Sequence, residues 1–225
     1  MRILDLIISI SGLIILLPVI LIIIFVLSIT GEKEIFYTQY RVGKNLKKFK
    51  LFKFATMLKN SEKIGSKTIT IRGDERVLPF GRILRMTKLN ELPQILNIIN
   101  GSMSLVGPRP LLEKQFMMYN VDSQKVISSV KPGLTGVGSL VFRDEEKLFE
   151  NNINPDEIYQ SFISPIKAEL ESWYVQNLSI SLYLKIIFLT GISILFPKLS
   201  VIKYLGNGIK SKYKKLLERY RYSSK

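Results

Sequence analysis

Neither cysteine nor histidine occurs anywhere in the 225 residues. Without cysteine there is no disulfide, no thiolate nucleophile and no thiolate metal site. Without histidine there is no imidazole general base and no His-ligated zinc. Any catalysis falls to carboxylates, Lys, Arg, Tyr, Ser or Thr. Acidic residues are scarce as well: 18 Asp and Glu stand against 33 Lys and Arg, a formal charge of +15. That imbalance points to an anionic partner, whether nucleic acid, an anionic membrane surface or a phosphorylated substrate. The length suits one domain of ordinary size with appendages, and no internal repeat, low-complexity tract or interdomain linker divides it.

Charge is missing altogether from Leu6 to Gly31, a run of 26 residues. At about 1.5 Å per residue this is long enough to cross a hydrocarbon core of ~30 Å. A cleaved signal peptide fits poorly, because only Arg2 and then Asp5 precede an apolar run that is too long, and no small-x-small cleavage site follows. The run therefore reads as a retained membrane segment. Pro18 interrupts it; a proline removes one helix hydrogen bond and kinks the axis. Two geometries stay open: a kinked helix that spans, and a re-entrant helix that enters and leaves by one face. Ser9 and Ser11 stand one to two turns earlier and are placed to satisfy freed backbone groups. Past Thr30, Arg41, Lys44, Lys47, Lys48, Lys50 and Lys53 are opposed only by Glu32 and Glu34, so the positive-inside rule assigns the remainder to the cytoplasm.

Ile35-Phe36-Tyr37 and the alternating run Phe49 to Phe54 are expected strands, with a second short strand at Thr68 to Ile71. Asp74-Glu75-Arg76 and Pro79 mark a turn. Helical spacing follows over Gly81–Leu89 and Pro93–Asn100, with Asn90 and Glu91 at the start of the second helix, where a carboxylate complements the dipole. Leu111–Tyr119, Asp122–Ser129 and Pro155–Leu178 read as helical, Lys131–Gly136 as a loop and Gly138–Phe142 as a strand. Ile180–Phe196 is apolar but short for a span, which favours a helix lying in the interface. From Lys198 the tail carries nine Lys and Arg against Glu218, interleaved with Tyr204, Tyr213, Tyr220 and Tyr222. Such a tail suits anionic lipid and also RNA; beside a membrane segment, lipid is the better fit.

The chemistry concentrates between Lys88 and Pro110. Glu91 is a Mg²⁺ ligand candidate, since Mg²⁺ is usually held by one or two carboxylates plus substrate phosphates. Arg109 stands between Pro108 and Pro110, with little backbone freedom, and suits bidentate phosphate binding. Glycines at 101, 107, 133 and 136 would let backbone amides approach an anion. Singly, each has a plainer explanation: a capping Glu, a surface Arg, turn glycines.

Ordered motifs then run through nearly the whole chain: the Pro-broken apolar helix, Arg41-Val42-Gly43-Lys44, Lys53-Phe54-Ala55-Thr56-Met57, Pro79 to Arg85, Leu89 to Gln94, Gly101 to Pro110, Lys131 to Gly136, and Trp173-Tyr174-Val175 before an amphipathic helix. In these the chain resembles the bacterial sugar transferases, the monotopic phosphoglycosyl transferases. The resemblance implies an α+β, predominantly helical fold. Its parts would be a re-entrant membrane helix over 1–30, a compact cytosolic transferase domain with short strands over 31–178, and an amphipathic membrane-associated helix with a basic tail over 179–225. It implies transfer of a sugar 1-phosphate from a nucleotide diphosphate sugar to polyprenyl phosphate, starting polysaccharide or glycoconjugate assembly at the bacterial cytoplasmic membrane. Mg²⁺ would be the cofactor, held by Glu91. Lys53, Arg76, Arg85, Pro108, Arg109 and Thr135 would bind substrate. Anionic membrane lipids are expected partners, a homodimer is compatible, and no nucleic-acid motif is present.

In the family an Asp-Glu pair acts as a unit, the Asp attacking the β-phosphorus and the Glu binding metal. This chain departs from the pattern at three places: Asn90 replaces that Asp, Ala55 an Arg, and Ser102 an Asp. A carboxamide is a poor nucleophile. Three routes stay open: a replacement carboxylate from Asp144, Glu145 or Glu146, Glu91 acting alone, or direct attack by polyprenyl phosphate. A non-catalytic substrate-binding or scaffolding homologue is the alternative from another class, and a membrane-tethered nucleic-acid module is a third.

Overall fold

The computed structural model describes residues 1–61, 73–143, 157, 159–196, 199, 204–206, 209, 211 and 214. The expected strand at Thr68–Ile71, the acidic trio Asp144 to Glu146 and most of the basic tail lie outside them.

Helix α1 runs from Arg2 to Ile29 with Pro18 inside it, and by length and composition it is able to cross a membrane. Its buried residues, Asp5, Ser9, Ile23 and Leu27, sit near the two ends, with none between. At the first end Arg2 donates to the carbonyls of Ile98 and Ile99. At the other, Ile23 and Leu27 pack with Phe54 and Leu84. Pro18 lies in the stretch between these two anchored ends and is exposed. The Ser9 hydroxyl is buried without a hydrogen-bond partner, so it does not repair the backbone at Pro18 as expected.

The expected strands form a hairpin, β1 (Phe36–Val42) and β2 (Lys48–Phe54), in antiparallel register with Phe36 opposite Phe54 and Val42 opposite Lys48. The connecting turn has Asn45 and Leu46 at positive φ, the backbone sense that matches strand twist in tight hairpins. Helix α2 (Pro79–Met86) starts on a proline, whose missing N–H costs nothing there. A single 3₁₀ turn, Leu89–Glu91, then precedes helix α3 (Gln94–Ile99). Asn90 and Glu91 thus lie on their own turn, not at the head of the following helix.

Strand β3 (Ser104–Val106) pairs in parallel with β4 (Gly133–Thr135), so the Lys131–Gly136 loop is in part a strand. Gly107 and Gly133 make this possible. A Cβ at Gly133 would stand 2.0 Å from the Gly107 nitrogen, and one at Gly107 2.5 Å from the Lys131 carbonyl oxygen. These glycines serve backbone-to-backbone approach, not the anion cradle expected of them. Helices α4 (Glu113–Phe116) and α5 (Val121–Ser128) lie between the two strands in sequence. The stretch expected as a strand at Gly138–Phe142 is instead helix α6 (Val137–Val141). A short apolar run has no period that separates strand from buried helix, and packing decided: Val137 and Leu140 join the largest core cluster with Ile163, Ile166, Leu170 and Tyr174. A π-helical turn at Tyr159–Ile163 leads into α7 (Ser164–Gln176), and α8 (Ile180–Leu195) follows. Along α8, Tyr183, Ile186 and Leu189 are buried, while Ile180, Leu184, Phe188 and Leu195 are exposed. That exposed apolar face suits a helix lying in an interface.

A buried polar knot ties three remote segments together. The Asp5 carboxylate accepts from the Tyr183 hydroxyl, from Ser104 Oγ at 2.9 Å and from the Leu105 N–H at 3.1 Å. The Val106 N–H donates to the Tyr183 oxygen at 3.3 Å. Side chains from α1 and α8 therefore satisfy the edge of β3 that β4 does not, as buried backbone groups require. Tyr183→Phe leaves a carboxylate oxygen and an amide underbonded, so we expect a loss of about 1–3 kcal/mol in denaturant unfolding of the detergent-solubilised protein.

Candidate active site

Glu91 is the centre of a compact cluster of charge. Its Oε1 accepts from Lys53 Nζ at 3.1 Å and from Arg109 Nη2 at 3.1 Å. Lys53 comes from β2, Glu91 from the 3₁₀ turn, and Arg109 from the Gly107–Pro110 segment that leaves β3. Lys88, in the left-handed conformation (φ 61°), opens the 3₁₀ turn. Asn97 on α3 locks the turn to the hairpin: its Oδ1 accepts from the Phe52 N–H at 3.0 Å and its Nδ2 donates to the Lys50 carbonyl at 2.8 Å. The Arg109 segment is held by the Gly107–Thr135 and Gly133–Pro108 backbone bonds and by the Val42 N–H donating to Leu111.

A third cation belongs to this group, one that the sequence offered as a positive-inside charge and a motif residue but not as a site residue. Arg41 on β1 lies opposite Phe49, and Tyr37 opposite Lys53, so strand alternation turns Arg41 and Lys53 to the same face. Burial pushes Arg41 down to about 10, and Arg109 adds to that shift while Glu91 opposes it. Its Nε is buried without a partner. Three cations thus surround one carboxylate. Burial by itself would raise the Glu91 pKa, but Lys53 and Arg109 outweigh it and hold the carboxyl well below the usual range. Lys53 is pushed down to about 8, chiefly by burial; Glu91 opposes the shift, and Arg109 and Arg41 add to it.

The depressed Lys53 pKa has two consequences of opposite sign. The ammonium is the phosphate-binding form and is lost as pH rises through about 8, so affinity for a phosphorylated ligand should fall above that pH. From about 8 up to the ordinary 10.5, the unfolded chain holds a proton that folded Lys53 has released, so this group's contribution to stability rises with pH over the same window. Lys53→Arg stays charged and should remove both limbs. Parallel binding and unfolding measurements between pH 7 and 10 check this.

A second buried acid, Glu171 on α7, also went unnoticed in the sequence. It is 2% exposed, and its Oε1 receives the Arg109 N–H at 3.4 Å. Burial pushes its pKa up to about 7, against lowering contributions from the Arg109 N–H, Lys167 and Gly138. A Cβ at Gly138 would stand 2.5 Å from Glu171 Oε1, so that glycine admits the carboxylate behind the Arg109 backbone. Glu171 occupies the same helix face as buried Lys167 and Tyr174, a spacing of four and three residues that marks an inward-facing acid.

The other sequence candidates make contacts of their own. Arg76 forms a buried ion pair with Asp74, with Nη2 at 2.6 Å from Oδ2, and its hydrogen bonds hold the Asp74 carboxyl below its usual value. Arg85 on α2 acts electrostatically on the same Asp74. The Thr135 hydroxyl meets that of Thr190 on α8 at 2.7 Å. Pro108 is buried, and its carbonyl accepts from the Gly133 N–H at 2.9 Å. Asp144 lies outside the described residues. Of the departures from the family pattern, Ala55 is buried, and Ser102 Oγ donates to the Asn97 carbonyl at 3.1 Å and to Asn100 Oδ1 at 2.8 Å in the turn after α3. Asn90 is 7% exposed, and its Oδ1 is buried with no hydrogen-bond partner.

Among the described residues no three or more His, Cys, Asp or Glu side chains group as a metal site. A divalent ion here would rest on Glu91, the preceding residue Asn90 carrying a buried, unpartnered Oδ1. That set is too small for an all-protein cage, but it fits Mg²⁺, which keeps several waters and takes substrate phosphates as ligands. Chemically the cluster is suited to a diphosphate: three positive side chains for four or more acceptor oxygens, and one carboxylate kept ionised at every physiological pH.

The chain is 32% identical over 200 residues to the exopolysaccharide production protein ExoY of Sinorhizobium fredii, covering 83% of this chain and 81% of that protein. It is 32% identical over 203 residues to the UDP-galactose-lipid carrier transferase of Erwinia amylovora, and 30% over 204 residues to the undecaprenyl-phosphate galactose phosphotransferase of Salmonella typhimurium. In each of these two the match covers 84% of this chain and 39% of the longer relative. The family described as bacterial sugar transferase matches residues 1–197, a stretch that takes in α1, the Glu91 cluster and α8 alike, and the chain belongs to that family.

Proposed function

We propose that the protein transfers a sugar 1-phosphate from a nucleotide diphosphate sugar to polyprenyl phosphate at the cytoplasmic face of the bacterial inner membrane. The observation that carries this is the excess of positive charge, Arg41, Lys53 and Arg109 about Glu91, built on a hairpin whose Phe36–Phe54 end packs against an apolar helix. Both substrates are phosphorylated, and one is a lipid. The exposed apolar faces of α1 and α8 support membrane seating, and the +15 charge supports anionic lipids as the surface met.

In this reading Arg41, Lys53 and Arg109 bind and orient the donor diphosphate and stabilise the charge that builds on it during transfer. Glu91 would hold Mg²⁺, which when bound supplies Lewis-acid neutralisation of the phosphate oxygens. Asn90 does not serve as the nucleophile. An oxygen of the polyprenyl phosphate attacks the β-phosphorus of the donor directly. One P–O bond forms to the lipid, the bond to the nucleoside monophosphate breaks, and that monophosphate leaves with the electron pair. Incubating the purified protein with Mg²⁺, polyprenyl phosphate and a panel of labelled nucleotide sugars tests the reading. Lipid-linked product with at least one donor is the expected result. Donor binding with no product across the panel would overturn it in favour of a non-catalytic substrate-binding homologue.

A further inference from the structure

Glu171 on α7 is buried against the segment that carries Arg109, and the proposed function does not use it. Its carboxylate accepts two backbone N–H groups: that of Arg109, 3.4 Å from Oε1, and that of Gly138. The Gly138 N–H belongs to the first turn of α6, where a helix leaves its donors without an intrahelical acceptor. One side chain therefore bridges the segment leaving β3 and the start of α6. Its other oxygen, Oε2, is buried with no hydrogen-bond partner.

A carboxylate is a costly way to fill a core position. An apolar side chain of similar size would pack there without the desolvation penalty, and an acid kept only for the fold would have both oxygens satisfied. Lys167, one turn earlier on the same helix, directs its ammonium at the Phe142 and Tyr159 rings, 5.4 Å from each centre. What Glu171 does reach is Arg109, whose guanidinium lies 3.1 Å from Glu91 Oε1. Arg109 is thus held at its backbone by one carboxylate and at its side chain by another. The first fixes where the second, and a diphosphate beside it, find the positive charge.

Missing side chains make room for this arrangement. A Cβ at Gly138 would stand 2.5 Å from Glu171 Oε1 and 3.1 Å from its Cδ. A Cβ at Gly136 would stand 2.3 Å from the carbonyl oxygen of Gly107, two residues before Arg109, and 3.5 Å from Glu171 Oε2. The requirement at Gly138 is for space and not for backbone freedom, because the residue lies inside helix α6, where Ala is the better helix former. Glu171 and Gly138 are therefore matched in size: a long acid faces a position with no side chain.

We propose that Glu171, seated in the space that Gly138 leaves, is a positioning residue for the donor diphosphate, holding the Arg109 backbone so that its guanidinium stands in the cation cluster. This rests on the reading of that cluster as the donor site. The test uses the full chain in detergent, inorganic pyrophosphate as the probe, and the variants Gly138→Ala, Glu171→Asp and the two combined. Gly138→Ala drives the carboxylate off Arg109, and Glu171→Asp draws it back by one methylene. Each should weaken pyrophosphate binding roughly tenfold, the scale of one hydrogen bond to a charged group, and raise donor KM with it. The combined variant returns the size match and should recover most of the loss. In an Arg109→Ala background Gly138→Ala should have no further effect on pyrophosphate binding, because its effect passes through Arg109. A residue serving the fold alone would lower unfolding stability and leave the affinity of the folded protein unchanged. Wild-type pyrophosphate affinity in both single variants therefore overturns the positioning role. Losses that add in the combined variant, or that persist undiminished without Arg109, overturn it too; each of these results leaves the transferase reading intact where wild type makes lipid product. A wild type that makes no lipid product but shows the size-matched recovery defeats the transferase reading and leaves the positioning role standing.

Discussion

Glu91→Gln is expected to lower kcat for sugar-phosphate transfer roughly 10²–10³-fold, the scale of losing one preorganised electrostatic group from an active site. The substitution keeps size and shape. What it removes is the negative charge against which Lys53 and Arg109 both sit at 3.1 Å. Three cations then lack a counter-charge, so the diphosphate should bind as tightly as before or more tightly, while the position offered to Mg²⁺ is lost. The signature is thus a fall in kcat with donor KM unchanged or lowered. A residue that only held the fold together would move differently: stability and donor affinity would decline together, by about 3–5 kcal/mol if a buried pair were simply broken. Steady-state kinetics beside denaturant unfolding separates the two, and a retained kcat would remove Glu91 from the chemistry altogether.

Asn90→Asp should change the kind of reaction. The wild-type side chain is buried, its Oδ1 has no partner, and it adjoins Glu91 in an excess of positive charge. A carboxylate introduced there gives up no existing acceptor bond, and its repulsion with Glu91 is offset by Arg41, Lys53 and Arg109. The family pattern assigns this position the attacking carboxylate. We therefore expect intact-mass measurements on the Asp variant mixed with donor alone to show a phosphosugar adduct, and wild type to show none. Initial-rate patterns should shift from intersecting in wild type to parallel in the variant. An adduct on wild type with donor alone would defeat direct transfer and would identify by its site which residue attacks.

Several features were legible in residue order because they are local. The 26-residue uncharged run, the alternation of Phe49 to Phe54 and the apolar stretch of α8 each carry their own signal in period or length, whereas Pro79, expected in a turn, opens α2. Glu91 and Arg109 stood out for a related reason: each is a charged residue near a proline in a largely apolar stretch.

Arg41 and Glu171 were harder to see. Arg41 stands in a run of six basic residues, and only the hairpin register shows that it shares a face with Lys53. Glu171 lies in a helix that also carries Glu169, and its burial depends on Gly138 making room. The two errors of element type have one cause. Lys131–Gly136 is a strand in part because β3, some 30 residues earlier, is there to pair with it, and Val137–Val141 is a helix because the α7 face receives it.

Residue order was sufficient for the membrane helix, the anionic character of the ligand and the family, since length, charge and motif spacing are properties of the chain whatever its path. Folding alone decided that both ends of α1 return to one body, that Lys53 and Arg109 reach the same oxygen of Glu91 from 38 and 18 residues away, and that Asp5 meets Tyr183 across 178. Such contacts have no local signal. Each is enforced by burial, which obliges a polar group to find its partners within the fold.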